Sequence, residues 1–396
     1  MKHLQRLVTD VRRIGPIAVL LVTLLVLGLP GTFSCTSHSE GAKLPPSLLD
    51  EIYSPFDTLR TDLEDYMWPT NASTTITSCF ADFRRTHFHE GIDISTNRRR
   101  GYPVYAARDG YVSHIQVSRR GYGKMLRLTH RDGYVTLYAH LQKFNDSIDT
   151  YVRIFQKHQK NYHLEINLDS TIFPVKKGEI IAYTGDTGIG AAHLHFEVRD
   201  PSMDPINPLL LPHFASLLQD TVPPVFQMIA LSPLDPASRV AGKERPWVGN
   251  ARRTRIHEYV SRGPMRVSGL IGVSVRVMDQ SDSPRYRTGA YRFETFLDGE
   301  PFFTLAKKFF PDDDVNDIGW YYDRTARLRR LGRFEKLYID PGNRLPFYDR
   351  LPEGAGIIQT ATLAPGRHKL KIAAWDLAGN KSDLTISLVV SKTSRP

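Results

Sequence analysis

Alternating apolar and polar residues mark one short stretch in the middle of the chain, and this pattern predicts a β-strand. Leu194, Phe196 and Val198 occupy every second position of it. His193 and His195 occupy the positions in between, so both imidazoles would share one face of the strand. Two imidazoles side by side suit a metal ion or proton transfer better than an ordinary core. A partly exposed polar face is the plainer alternative, and the motif alone indicates nothing stronger.

From about Thr74 onward, similar short patterns alternate with turn signals. These signals are Asp109-Gly110, Asp132-Gly133 and Lys176-Lys177-Gly178. The candidate strands around them are Tyr102–Ala107, Gly110–Val117, Met125–Thr129, Tyr134–Ala139 and Glu179–Tyr183. A glycine-rich stretch, Thr184–Gly190, then leads into the histidine strand. We exclude a phosphate-binding loop there, because the stretch lacks a Gly-Lys-Ser/Thr ending and precedes a strand instead of a helix.

The segment Phe144–Phe173 interrupts this β pattern. Ile148, Val152 and Phe155 fall at helical spacing, which predicts a helix with one apolar face. Such a helix could pack on the surface of the sheet, or it could form a lid beside a functional site.

The second half of the chain resumes the β pattern after Pro223-Pro224. Its candidate strands are Gln227–Leu231, Gly269–Met278, Tyr291–Phe296, Pro301–Leu305, Ile357–Leu363, Lys369–Trp375 and Leu384–Val390. Asp298-Gly299 and Ala378-Gly379-Asn380 are typical of hairpin turns. Many short strands with such turns predict an immunoglobulin-like β-sandwich. The aromatic and charged segment Pro311–Arg350 has no predicted structure.

The first residues are typical of an export segment. Residues 1–35 begin with basic residues and continue with the uncharged apolar run Ile14–Leu29. The stretch from Thr32 to Cys35 resembles a lipobox, in which the cysteine becomes lipidated, although Thr32 stands where Leu or Val is preferred. A plain cleaved leader and a membrane anchor are the alternatives.

Proline spacing and polarity predict a tether after the export segment. It covers residues 36–73 and contains one short helix near Ser47–Tyr53. We therefore expect a mainly β protein with one domain over residues 74–212, including a long loop at 144–173, and a second domain over 219–396.

Composition and charge restrict the functional classes. The chain has 396 residues, of which 41% are hydrophobic and 24% are charged, so it is long enough for two globular domains. A net charge of +10 favours an anionic partner, either nucleic acid or an anionic envelope polymer. We expect no nucleic acid, since no nucleic-acid-binding module is recognisable. Only two cysteines are present, which excludes a disulfide framework and a cysteine zinc site.

Two further clusters carry histidine. His89 and Asp93 offer a nitrogen and an oxygen of the kind that Zn²⁺ accepts, and His140 ends a candidate strand. On a helix, Glu90 would serve as the base of a zinc-protease motif, but the glycine that follows it and the β-rich context argue against a helix. We therefore expect Glu90 to be an exposed neighbour and His87 to be a histidine of the rim.

Taken in order, His89-x-x-x-Asp93, Tyr138-Ala139-His140-Leu141 and His193-Leu194-His195 resemble the lysostaphin/LytM-type zinc endopeptidases, which cut peptide cross-bridges or stems of bacterial peptidoglycan. The resemblance covers about Thr74 to Leu211. It also includes Gly101–Ala107, Asp109-Gly110, Gly121-Tyr122-Gly123, Val175–Gly178 and Thr184-Gly185. The long connection and the β-rich second half resemble exported members from Bacteroidetes- and Chlorobi-type bacteria.

The resemblance implies a LytM-like antiparallel β-sheet domain and a specific division of roles. His89, Asp93 and His195 would be the ligands of one Zn²⁺, with water in the open fourth position. His140 and His193 would flank that water and assist proton transfer. The substrate would be a peptide of peptidoglycan. Separately from the resemblance, the basic start, the apolar run and Cys35 predict an exported protein held at the periplasmic face of a membrane, by its N-terminal segment or by a lipid on Cys35.

Two departures and two alternatives accompany this resemblance. Phe83 stands in a region where some members carry a tyrosine, and the connection at 144–173 is longer than in compact members, which suggests a lid that narrows the substrate groove. A non-catalytic LytM-like domain that binds the wall or activates another hydrolase is the first alternative, but such members lack several ligand positions that are present here. An adhesion role for the C-terminal half is the second.

Overall fold

The computed structural model describes residues 65–218, 220–280, 286–323, 330–348 and 354–391. The predicted export segment with Cys35, the short helix near Ser47–Tyr53 and most of the tether lie outside these residues. Within the described part of the chain, no helix is both long and apolar enough to cross a membrane. We refer to residues 65–218 as the N-terminal lobe and to the described residues from 220 to 391 as the C-terminal lobe.

The N-terminal lobe is built from antiparallel strands. They are β1 (Ile76–Ser78), β2 (Ile92–Ser95), β3 (Pro103–Tyr105), β4 (Gly110–Val117), β5 (Lys124–His130), β6 (Val135–Ala139), β7 (Leu141–Phe144), β8 (Leu164–Asn167), β9 (Pro174–Val175), β10 (Ile180–Thr184), β11 (His193–Arg199) and β12 (Pro205–Ile206). The helices of the lobe are α1 (Asp146–Gln159), α2 (Pro212–Leu217) and a three-ten turn at Pro208–Leu210.

The main sheet of this lobe brings distant strands side by side. Its order is β1-β2-β11-β6-β5-β4-β8, with β12 beside β11 and β9 beside β4. A smaller sheet has the order β3-β10-β7. The strand predicted from the histidine motif is confirmed as β11, which lies between β2 and β6. Leu194 and Phe196 are completely buried on its apolar face, as their alternation predicts.

The predicted interruption at 144–173 contains the expected helix and one strand that the sequence analysis missed. Helix α1 begins after Asn145, whose side chain accepts a hydrogen bond from the backbone of Ile148. Ile148 and Val152 are buried against the sheet. The chain then forms β8, which pairs with β4 at the sheet edge. The excursion is therefore attached to the sheet through one face of α1 and through β8.

The C-terminal lobe consists of further short strands. They are β13 (Val225–Pro233), β14 (Arg239–Val240), β15 (Trp247–Asn250), β16 (Arg252–Arg255), β17 (Glu258–Val260), β18 (Met265–Ser268), β19 (Leu270–Met278), β20 (Arg292–Leu297), β21 (Glu300–Ala306), β22 (Glu335–Lys336), β23 (Ile358–Gln359), β24 (Gly366–Trp375) and β25 (Lys381–Val390). Helix α3 (Ile318–Tyr321) and three-ten turns at Asp312–Asp314 and Thr360–Thr362 complete the lobe.

These strands form two sheets that share one core. The first sheet has the order β15-β13-β19-β22 with β23 beside β19, and the second has the order β14-β18-β25-β24-β20-β21 with β17 beside β25. Ile229 and Val273 of the first sheet pack in the same core as Ile372 and Leu384 of the second. The fold class is thus mainly β throughout, while the immunoglobulin-like character of this lobe stays a prediction.

One predicted strand of this lobe is too long. Residues Ile357–Leu363 form only the short strand β23, and the chain then turns. The turn starts at Thr360 because its backbone N–H donates to the carbonyl of Gly269 and its hydroxyl accepts from the N–H of Gly269. The hydrogen bonds that a longer strand β23 would form with β19 therefore end at Thr360.

The two lobes meet through the segment that precedes β2. Phe80 and Phe88 belong to the N-terminal lobe in sequence, yet both are buried in the core of the C-terminal lobe. Phe310 stacks on Phe80 with ring centroids 5.0 Å apart, and the N–H of Phe88 donates to the carbonyl of Val315. Val315, which belongs to the segment Pro311–Arg350 that had no predicted structure, therefore contacts the chain next to His89.

Candidate active site

Three of the predicted site residues converge where β2 and β11 run side by side. Asp93 lies opposite His195 in the register of the two strands, and His89 lies on the loop that enters β2. The Nε2 atom of His89 is 3.0 Å from Asp93 Oδ1 and 3.0 Å from His195 Nδ1. His195 Nδ1 is 2.9 Å from Asp93 Oδ1. Three potential ligand atoms thus face one point.

Backbone and carboxylate partners fix the orientation of both imidazoles. The carbonyl oxygen of Cys79 lies 2.8 Å from His89 Nδ1, so that nitrogen carries the proton and Nε2 keeps its lone pair. Glu197 Oε1 lies 2.8 Å from His195 Nε2, which in the same way leaves Nδ1 free. Partners of this kind hold metal-binding histidines in the correct tautomer and orientation.

The donor set fits a metal ion. Two imidazole nitrogens and one carboxylate oxygen are ligands that Zn²⁺ accepts, and the three side chains are all buried. Burial disfavours the charge of Asp93, but His89, His193 and His195 more than offset that effect and hold its pKa well below the usual range. The carboxylate is therefore ionised, as a metal ligand must be.

Charged residues beyond the three form a buried network. Glu197 is fully buried and accepts a hydrogen bond from the Arg199 guanidinium at 2.6 Å. Arg199 also contacts Glu90 at 2.6 Å and Asp312 of the C-terminal lobe at 2.5 Å. Burial opposes the charge of Glu197, but Arg199 and then His195 outweigh it and lower the pKa of that carboxyl. Tyr122 donates to Glu197 at 2.6 Å.

This network corrects the expectation for Glu90. The residue is in a loop, as expected, but it is not an exposed neighbour, because its carboxylate is held by Arg199 and by the Tyr122 hydroxyl at 3.1 Å. Burial, followed by the nearby charge of Glu197, raises its pKa. His87 lines the edge of the site cavity, as a rim residue would.

His140 and His193 lie next to each other beside the three converging residues. Their ring centroids are 4.5 Å apart. His140 Nδ1 lies 2.9 Å from the carbonyl of Thr187 and His193 Nδ1 lies 2.6 Å from that of Ala191, so both rings keep Nε2 available. His193 Nε2 is 3.5 Å from Asp93 Oδ1.

The backbone of His140 is unusual. Its φ of 60° lies in the left-handed region, which residues other than glycine rarely adopt, and it occurs at the joint between β6 and β7. Such strain concentrates at functional sites because surrounding contacts must enforce it. Burial, followed by the neighbouring His195 and His193, lowers the pKa of His140 to about 3, so the imidazole is neutral at neutral pH.

A cavity of about 480 Å³ opens over all five predicted residues. Its wall also includes Arg84, whose guanidinium is 2.8 Å from Asp93 Oδ2, and the exposed Ile189 of the glycine-rich loop. No residue of the fully described segment 144–173 lines it. The structure thus favours a packed helix over the predicted lid.

The sequence analysis missed several residues of this site. The sequence could have indicated Glu197, because a strand period of two places this residue on the same face as His193 and His195. Arg84 carries no such signal, since an irregular loop connects it to Asp93.

Comparison with known proteins finds a family match in the N-terminal lobe. Residues 87–159 match the model described as Peptidase family M23. This segment of the chain is therefore similar to the M23 peptidase family. This confirms the resemblance to LytM-type peptidases, and the match includes His89, Asp93 and His140.

Curated relatives of the M23 domain are similar over about a third of the chain. The uncharacterized lipoprotein YgeR of Escherichia coli is 33% identical over 34% of this chain and 42% of its own length. The murein hydrolase activator NlpD of Escherichia coli is 29% identical over 38% of this chain and 31% of its own length. The DD-carboxypeptidase/endopeptidase Mpg of Neisseria meningitidis is 32% identical over 31% of this chain and 22% of its own length. The chain thus spans less than half the length of these relatives.

Solved structures with similarity to this chain include a zinc-containing peptidase from Vibrio cholerae. It is 28% identical, with a TM-score of 0.26, over 36% of this chain and 38% of that protein. A putative glycyl-glycine endopeptidase LytM from Ruminococcus gnavus is 21% identical, with a TM-score of 0.27, over 44% of this chain and 74% of that protein.

Proposed function

We propose that this protein is a zinc-dependent endopeptidase that cleaves peptide cross-links or stems of bacterial peptidoglycan. The observation that carries the proposal is the placement of His89, Asp93, His140, His193 and His195 around one cavity. The M23 family match and the name of the Neisseria relative support peptidase chemistry. All five positions that the resemblance requires are occupied by the expected residue types.

The side chains divide into a binding set and a proton-transfer set. His89, Asp93 and His195 would hold Zn²⁺, which supplies Lewis-acid chemistry by polarising the scissile carbonyl and activating water. His140 and His193 present unprotonated Nε2 atoms to the same cavity. One of these nitrogens would accept the proton that water gives up, and the imidazolium so formed would pass that proton to the leaving amine.

Digestion of purified sacculi tests the proposal. The wild-type chain, loaded with zinc, should release soluble muropeptides that mass analysis identifies. His195→Ala should lose both zinc and activity. His140→Ala and His193→Ala should keep zinc and lose roughly a hundredfold to ten-thousandfold in rate, because they remove proton transfer only. His158→Ala, an exposed histidine of α1, is the matched control and should behave as wild type. Full zinc occupancy in His195→Ala would contradict the ligand assignment.

The similarity to NlpD supplies a second candidate function, the activation of another wall hydrolase. The same assay separates the two functions when a partner hydrolase is added. An activator would release nothing alone, would increase the release caused by the partner, and would do so equally well as His195→Ala. An enzyme would release muropeptides alone and would lose that release in His195→Ala.

We also propose that the protein is exported and lies at the periplasmic face of a membrane, through a lipid on Cys35. The basic start, the apolar run and the cysteine support this location, as does the name of the lipoprotein relative YgeR. Metabolic labelling with a fatty acid should mark the wild type and leave Cys35→Ser unlabelled. Equal labelling of both would exclude this cysteine as the anchor.

A further inference from the structure

We propose that Asp220, Asp279 and Asp376 form a calcium site at the junction of the two lobes, separate from the candidate active site. One carboxylate oxygen from each residue lies within 4.8 Å of those from the other two. The three residues come from different parts of the C-terminal lobe. Asp220 precedes its first strand, Asp279 follows β19, and Asp376 lies in the turn between β24 and β25.

The Asp279 side chain is the observation that indicates a ligand. The residue is only 7% exposed, and its Oδ1 atom is completely buried without a hydrogen-bond partner in the described part of the chain. Its other oxygen lies 3.4 Å from the Thr288 hydroxyl. An unsatisfied buried carboxylate oxygen is expensive, and proteins commonly satisfy it with a cation.

The surrounding structure holds the other two carboxylates in place. The Asn380 side-chain amide donates to Asp376 Oδ2 at 2.8 Å and to the backbone carbonyl of Asp220 at 2.9 Å. Asp376 Oδ1 accepts from the N–H of Asn380 at 2.8 Å, and Asp220 Oδ1 accepts from the N–H of Val222 at 2.9 Å. The hairpin turn and the start of the lobe are thereby joined on one side of Asp279.

The donor chemistry selects the ion. All three donors are oxygens, which suit a hard cation such as Ca²⁺ and lack the nitrogen or sulfur that Zn²⁺ favours. Ca²⁺ takes six to eight oxygen ligands and tolerates irregular geometry. A cavity of about 230 Å³ borders all three carboxylates and offers room for the water molecules that would complete the shell.

The position of the site suggests what the ion does. The same cavity is also lined by Thr75, Ile76 and Cys79 of the N-terminal lobe. Cys79 is the residue whose carbonyl oxygen orients His89. A bound ion would remove the repulsion among three carboxylates beside β1, and would therefore stabilise the contact between the lobes.

Calcium titration of the full chain tests this inference. The protein is stripped of metal, reloaded with one equivalent of zinc, and titrated with CaCl₂ in a calorimeter. We expect one Ca²⁺ per chain and a higher melting temperature in millimolar CaCl₂. Asp279→Asn and Asp376→Asn should weaken binding at least about tenfold, as expected when a charged ligand is lost. Asp279→Asn also removes a buried carboxylate that two others repel, so the variant should remain folded.

The controls separate this site from the zinc site. Glu300→Gln, a similar charge loss at an exposed position, should bind Ca²⁺ as wild type. His195→Ala should also bind Ca²⁺ normally, whatever happens to its zinc. The inference is overturned if the wild type binds no Ca²⁺ or if it binds Mg²⁺ as tightly as Ca²⁺. It is also overturned if CaCl₂ raises the melting temperature of Asp279→Asn as much as that of the wild type.

Discussion

Arg199 links the histidine strand to the C-terminal lobe. Its guanidinium contacts Glu197, Glu90 and Asp312, and Glu197 in turn accepts a hydrogen bond from His195 Nε2. The orientation of a proposed zinc ligand therefore depends on a chain of charged hydrogen bonds that reaches the other lobe.

Glu197→Gln should weaken zinc binding while His195 remains in place. The amide oxygen can still accept from His195, but the negative charge that raises the basicity of the imidazole is lost. Comparable partners of metal-binding histidines contribute about tenfold to a hundredfold in metal affinity. Competition with a chromophoric chelator measures the affinity, and Glu165→Gln on the exposed part of edge strand β8 is the control. An unchanged zinc affinity in a folded Glu197→Gln would show that Glu197 has no positioning role.

The residues that the sequence identified are those whose chemistry is visible in a short pattern. His193 and His195 share a strand face by period alone. The partners of His89 and Asp93 are different, because Cys79 contributes its backbone carbonyl and Arg84 arrives through an irregular loop. A backbone carbonyl can belong to any residue type, and an irregular loop gives no sequence spacing that would place Arg84. Only the folded chain could therefore show these two contacts.

At the scale of elements, strands of the N-terminal lobe were predictable where alternation was long and turns were clear. Strand β4 has the predicted bounds, Gly110–Val117. Strand β8 was missed because only Leu164 and Ile166 alternate, which is too short a pattern to separate from a loop. The helix before it was predictable, since its apolar stripe extends over two turns.

Helix α1 should contribute stability and leave the choice of substrate unaffected. Ile148 is 1% exposed and packs in the core of the N-terminal lobe, so Ile148→Ala should destabilise the protein by about 2–5 kcal/mol. Ile154 of the same helix is 61% exposed, and Ile154→Ala should have little effect. Urea unfolding measures both variants, and sacculus digestion gives their products. A changed muropeptide profile in Ile148→Ala without a loss of stability would restore the lid hypothesis.

At the scale of the whole molecule, the sequence indicated two domains in series but not their shared core. Phe80 and Phe88 are buried among residues of the C-terminal lobe, and the Tyr322 hydroxyl donates to the carbonyl of Ala81 at 3.2 Å. These contacts join residues more than two hundred positions apart. They also involve a segment without regular periodicity, so no local pattern could predict them. The conformation of the loop that enters β2 therefore depends partly on contacts with the C-terminal lobe.

This shared core makes the zinc site dependent on a distant phenylalanine. Phe310 is completely buried, and its ring centroid lies 5.0 Å from that of Phe80 and 5.2 Å from that of Phe88. Phe310→Ala should cost about 3–5 kcal/mol of stability. It should also weaken zinc binding, because Phe88 directly precedes His89 and loses a packing partner.

Phe293→Ala provides the matched control for that prediction. Phe293 is also completely buried in the core of the C-terminal lobe, but it lies on β20, whereas Phe310 stacks directly on Phe80 and contacts Phe88. The two variants should therefore lose similar stability in urea unfolding, while only Phe310→Ala loses zinc affinity in chelator competition. If both variants lost zinc affinity equally, the C-terminal lobe would contribute general stability alone, and the shared core would have no specific role in holding His89.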